Sequence, residues 1–269
     1  MKIYQYWTVE KQKILIDNTM QEIACYGGSN ISIEDARRAA REKAEKIQRK
    51  IAGEKRLFED YESEIREELL QTIDPRNVIT RNRYGARVLN TENMLILDID
   101  KPKPAAGGGL AGLFKKKDAR PPKEQIFDMV KTLATTKYQS YAFRIYETYQ
   151  GARVIVLGRD FDPRDSQTKK MMDEFNCDPL YTLLCVKQGC FRARLTPKPS
   201  RMKLRGFKVK YPREGDDSEF QRWVLDYESV SRNFSVCKLI EQIGSGQYVN
   251  DVVRLHDDIT GIGYPQRLA

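Results

Sequence analysis

The chain of 269 residues carries 47 Lys and Arg against 38 Asp and Glu, a formal charge of +9, with one His and five Cys. A charged share of 32% is high, yet 10 Phe, 14 Tyr and 2 Trp supply bulk for a core, so the composition is globular and not disordered. No apolar run approaches the ~20 residues of a membrane span, Met1–Glu10 lacks a secretory pattern, and five cysteines without a CxxC pair argue against a disulfide framework or a cysteine zinc site.

The first 74 residues predict a small N-terminal β-α unit. Lys2–Trp7, Lys13–Asp17 and Gln21–Tyr26 are short strand segments, and Gly27-Gly28-Ser29-Asn30 reads as a turn. Ser32 suits a helix N-cap, with Asp35 in the place of a capping-box acid. Ala36, Ala39, Ala40, Ala44, Ile47 and Ile51 then recur at helical spacing until Gly53. Leu57, Phe58, Tyr61, Ile65 and Leu69 repeat that period and predict a second helix.

Residues 75–269 predict an α+β core with a largely antiparallel sheet. Val78–Leu89 and Met94–Asp100 are β-type runs joined by a hairpin-like Asn90–Asn93. The unbroken Met94-Leu95-Ile96-Leu97 suits a central strand covered on both faces. Segment 101–123, with Gly107–Gly109 and Lys115–Lys117, has no periodicity and reads as a flexible basic loop. A helix through Ile126, Val130 and Leu133 follows, then strands Tyr141–Tyr146 and Arg153–Leu157 about a Gln150-Gly151 turn. Gln167–Phe175 is helical, and Asp178-Pro179 caps another helix. Cys190–Leu195 and Leu204–Tyr211 read as strands, Phe220–Val230 as a helix, Phe234–Ile240 as the last strand and Tyr248–Asp258 as a closing helix.

The sharpest chemical feature is Leu97-Asp98-Ile99-Asp100. Alternation along a strand puts Asp98 and Asp100 on one face, where their mutual repulsion is relieved by a divalent cation, Mg²⁺ or Mn²⁺. The bland alternative is a strand ending in two solvated acids. In Thr148-Tyr149-Gln150-Gly151-Ala152-Arg153, the glycine lets a ligand approach the backbone, with Arg153 beside it. In Phe191–Arg201, Arg192 and Arg194 share a strand face, and Lys198 and Arg201 extend a cationic strip suited to phosphate oxygens. The lone His256 and the cysteines Cys185 and Cys190 read as structural rather than catalytic. A pI near 9.2 points to a polyanionic partner, or merely to solubility.

The succession of an apolar strand ending Asp98-x-Asp100, a helix, a strand, a Gly turn and a strand resembles the catalytic core of the archaeo-eukaryotic primase (primase-polymerase) superfamily. The resemblance spans about Met94–Leu157 and implies an RRM-like core whose acid pair binds divalent metal. It also implies a third acid on a later strand, for which Glu241 and Asp226 are the candidates, and a nucleotide-contacting residue where this chain has Arg153 and the family has His. Blocks Asn82–Asp100, Phe191–Pro199 and Gly244–Gly246 are also similar to uncharacterised bacterial proteins, which implies no function.

The expectation is therefore a cytoplasmic protein that processes a nucleotide triphosphate or nucleic acid, with no membrane partner. Asp98, Asp100 and Glu241 would be catalytic, Asp98 and Asp100 would hold Mg²⁺ or Mn²⁺, and Arg153, Arg192, Arg194 and Lys198 would bind phosphates. The alternative is a non-catalytic nucleic-acid-binding protein.

Overall fold

The computed structural model describes residues 1–16, 19–51, 53, 63–101, 120–207, 211–213 and 215–269. The N-terminal unit is a single long antiparallel hairpin, β1 (Tyr6–Ile16) with β2 (Thr19–Ser29), and α1 (Ile33–Ile51) packs on one of its faces. The short strand segments read from sequence are parts of this hairpin. Gly27, Gly28 and Ser29 end β2 instead of forming a turn, for a steric reason: a Cβ on Gly27 would lie 2.0 Å from the Ala36 carbonyl oxygen. The alanine stripe Ala36, Ala40 and Ala44 is fully buried by this close approach. Ser32 caps α1 as expected, its Oγ accepting from the Asp35 backbone N–H at 3.1 Å.

No helix covers Ile65 or Leu69. Ile65 lies in an irregular segment and Leu69 in β3 (Glu68–Asp74), while Leu57, Phe58 and Tyr61 lie outside the described residues. Because β3 pairs with β4 (Asn77–Arg81), the core sheet begins at Glu68, ahead of the boundary drawn after residue 74. The β4–β5 hairpin turns at 82–86, and β5 (Arg87–Thr91) pairs on its other side with β9 (Phe191–Arg194), giving the antiparallel order β3-β4-β5-β9. Asn90–Asn93 is consequently a crossover between sheets and not a hairpin turn.

The second sheet has the order β11-β7-β8-β6, all antiparallel, from β6 (Leu95–Asp100), β7 (Ala142–Thr148), β8 (Gly151–Leu157) and β11 (Cys237–Ile243). Between β6 and β7 runs α2 (Pro122–Thr136), so the two strands are parallel with β8 between them. The α+β class with largely antiparallel sheets is as the sequence indicates. Met94–Leu97 is covered on both faces, but β6 is an edge strand rather than a central one. Its free edge is closed by the start of α4 (Pro179–Gln188): Asp178 N–H donates to the Asp98 carbonyl at 2.9 Å and the Tyr181 hydroxyl donates to the Ile96 carbonyl at 2.9 Å. The same hydroxyl accepts from the Arg192 backbone N–H at 3.2 Å, which links β6 to β9 and so one sheet to the other.

One face of this second sheet packs on α2 and α3 (Ser166–Glu174), burying Ile145, Val154, Val156, Met172 and Phe175. The opposite face receives α6 (Asp251–Thr260). On the first sheet, α5 (Ser218–Ser231) is joined by Glu228 to Arg87 and Arg81. Two short strands, β10 (Phe234–Ser235) and β12 (Arg267–Leu268), pair in parallel near the C-terminus. Residues 204–207 are irregular, so no strand begins at Leu204, and 208–210 lie outside the described residues, as do Lys115–Lys117 and the rest of 102–119. Among the described residues, no helix is long and apolar enough to cross a membrane.

Candidate functional site

Asp98 stands opposite Arg153 and Asp100 opposite Gly151 in the β6–β8 ladder, so both carboxylates and the guanidinium share one sheet face. Gly151 is required there, since a Cβ would lie 2.0 Å from the Ile99 carbonyl oxygen. Asp98 is half-buried and Asp100 exposed. Burial raises the Asp98 pKa, neighbouring Asp100 raises it further, and Arg153 and Arg194 oppose them.

Both acids open into a cleft of about 1780 Å³, which Arg153, Arg194, Lys198 and Arg201 also line. Arg194 comes from β9, and its Nε is buried without a hydrogen-bond partner among the described residues, as is the Nε of Arg153. Burial first, then Arg201 and Arg153, push the Arg194 pKa down to about 10. Lys198 is lowered by burial and by Arg194 and Arg201, with Asp100 and Asp98 pulling the other way. Four cations therefore crowd around two carboxylates, and the cations remain under-compensated. Such a site favours an added anion with several oxygens.

Arg153 is held from behind. Its Nη1 donates to the Arg194 carbonyl at 2.9 Å, lies 3.4 Å from Cys237 Sγ and 3.1 Å from His256 Nε2. His256 Nδ1 lies 2.9 Å from Asp257 Oδ1, and Asp257 also accepts from the Tyr146 hydroxyl and from Arg144. Sequence reading left His256 as structural and gave Asp257, Tyr146 and Arg144 no role. Their link to Arg153 spans 103 residues and has no local signal.

Arg192 shares the β9 face with Arg194 but is already engaged, its Nη2 bonding Glu67 at 2.5 Å and its Nε bonding Asn90 at 2.7 Å. Glu241 does not join the acid pair. It pairs with Lys131 of α2 at 2.6 Å, on the opposite sheet face, and its strand is separated from β6 by two others, about 14 Å at the usual strand spacing. A bulge between Leu239 and Glu241 sets that facing. Asp226 is exposed on α5. Nearer is Asp178, which lines the cleft and raises the Asp98 pKa, though its carboxylate caps α4 through Tyr181 N–H at 2.7 Å.

Among the described residues, no group of three or more His, Cys, Asp or Glu gathers as a metal cage. Two same-face carboxylates, one of them open to solvent, nonetheless match the way Mg²⁺ is commonly held, by one or two acids with phosphates and water completing its shell. All five cysteines are free and buried; burial pushes Cys177 and Cys190 up to about 12, so they are not poised thiolates.

The cleft continues to the β1–β2 face that α1 leaves uncovered, lined by Trp7, Lys11 and Tyr26, with the Arg66 guanidinium 3.5 Å over the Tyr26 ring. Of its charged lining residues, eleven are Lys or Arg and five are Asp or Glu, so the excess of positive charge is concentrated here. Comparison with family models, curated proteins and solved structures gives no match.

Proposed function

We propose that the cleft binds a phosphate-bearing ligand, a nucleotide triphosphate or a length of nucleic acid, and acts on it as a primase-polymerase-like nucleotidyl transferase. Asp98 and Asp100 would hold Mg²⁺ or Mn²⁺, which when bound would neutralise phosphate charge and activate the attacking hydroxyl. Arg153, Arg194 and Lys198 would bind and orient the phosphates. Arg192 would act less directly, given its bond to Glu67. The basic stretch of the cleft along the hairpin would take the nucleic-acid strand, its phosphates against Lys11 and Arg66.

The observation that carries this reading is the meeting, in one cleft, of Asp98 and Asp100 from β6, Arg153 from β8, and Arg194 with Lys198 from β9 and its continuation. A cleft of about 1780 Å³ exceeds the few hundred to ~1,000 Å³ typical of small-ligand pockets and suits a polymer.

The second reading is a nucleic-acid-binding protein without catalysis. The position of Glu241 on the far sheet face, with no metal cage among the described residues, favours it. Labelled nucleotide triphosphates with a primed template, incubated with Mn²⁺ and separately with EDTA, distinguish the two. Metal-dependent incorporation supports transfer. Binding that ignores EDTA, with no incorporation, leaves only the second reading.

A further inference from the structure

The buried group behind Arg153 has a defined proton arrangement. Arg153 can only donate, so His256 Nε2, 3.1 Å from Nη1, must carry the lone pair. Nδ1 then carries the proton, directed at Asp257 Oδ1 at 2.9 Å. Asp257 is fixed in turn by Tyr146 at 2.7 Å and by Arg144. Burial drives the His256 pKa down to about 4, so the imidazole is neutral near pH 7. His256 is 1% exposed and does not line the cleft, and can touch a ligand there only through Arg153.

We propose that His256 is a positioning residue that holds the Arg153 guanidinium toward the cleft, with Asp257 selecting the tautomer that can do so. The proposal rests on the reading of the cleft as a phosphate site. Without the Nε2 acceptor, Arg153 Nη1 retains the Arg194 carbonyl and the weaker Cys237 sulfur. The adjacent acid is Asp98 across the ladder, and swinging toward it would neutralise the cation that should meet phosphate. The groups around His256 are Asp257 on its own helix, Arg144 and Tyr146 on β7, Arg153 on β8 and Cys237 on β11. Among them Asp257 is the acid, and its charge is shared with Arg144 and Tyr146.

The test uses inorganic pyrophosphate as probe, in EDTA, so that no metal site is needed. Calorimetry would compare wild type with His256→Leu, His256→Gln, Arg153→Met and the double variant His256→Leu with Arg153→Met. The expected result is about tenfold weaker binding for His256→Leu, near wild-type binding for His256→Gln, whose amide offers an acceptor to Arg153 and a donor to Asp257, and no further loss for the double variant beyond Arg153→Met alone. Additive losses would overturn the positioning role while leaving the phosphate site intact. If wild type and Arg153→Met bind alike, the assignment of Arg153 itself fails. A second measurement needs no variant: ¹⁵N NMR of the imidazole should show a neutral, Nδ1-protonated ring from about pH 5 to 8. A ring protonated at Nε2 would overturn the proposal.

Discussion

Arg153 faces Asp98 across neighbouring strands, yet its Nη1 hydrogen bonds run away from that carboxylate, to the Arg194 carbonyl and His256. On the proposed reading, the cation would meet a phosphate and the acid a divalent ion, rather than each other. Four predictions follow from this geometry and from the packing around it.

Asp98→Asn with Asp100→Asn should have opposite effects in two buffers. With Mn²⁺, nucleotide binding should fall at least tenfold, because the paired oxygen donors are gone. In EDTA, binding of a single-stranded oligonucleotide should tighten several-fold, because two negative charges leave a cleft already rich in cations. Fluorescence anisotropy reads both arms, and equal loss in both would contradict the acid pair's assignment.

Oligonucleotide binding should weaken linearly in log K against log salt, with a slope near −0.7 per neutralised phosphate. Removing Arg66 or Lys11 by substitution with Met should flatten the slope by about that amount each, with the fold intact, since both side chains are exposed and line the cleft. An unchanged slope would remove the hairpin from the binding track.

Acid should destabilise the protein through His256. Its folded-state pKa of about 4 lies below the ordinary 6.5, so the unfolded chain takes up a proton first as pH falls between those values. Stability is therefore full above about pH 6.5 and drains toward pH 4, by up to about 3 kcal/mol. Asp98 works in the opposite sense, because its raised pKa lets the folded state take a proton sooner. Urea unfolding across this range should show the loss in wild type and a flatter profile in His256→Gln.

Gly151→Ala should impair the site more than a surface glycine change does. The new Cβ would meet the Ile99 carbonyl at 2.0 Å, forcing apart β6 and β8 where Asp98 and Asp100 are set. A stability loss of about 1–3 kcal/mol with weaker Mn²⁺-dependent binding is expected. Gly206→Ala, where a Cβ finds no atom within 4 Å, is the control and should be close to neutral in thermal melts.

Much of the scaffold was legible in the sequence because local chemistry decides it. The cap at Ser32, the Asp178-Pro179 start of α4 and the β7–β8 hairpin about Gly151 depend on residues within a few positions of one another. Asp98 and Asp100 share a face by strand alternation alone. Partners are another matter. Arg192 and Arg194 have the same spacing, but Glu67, 125 residues away, engages one and leaves the other open. Glu241 falls just past the strand read at Phe234–Ile240, which the structure divides into β10 and β11 and extends to Ile243, and a one-residue bulge helps turn it toward α2. The apolar run 94–97 reports cover on both faces but not position in the sheet, and here a helix start performs the sealing that a further strand would have given.

The Tyr181 hydroxyl, by bonding Ile96 and Arg192 together, acts as a rivet between the strand that carries the acids and the strand that carries Arg194. Acid and guanidinium are thereby fixed at a set gauge instead of riding on independently sliding plates. In the proposed phosphate site, selectivity would then rest on how well a ligand's charge spacing matches that gauge.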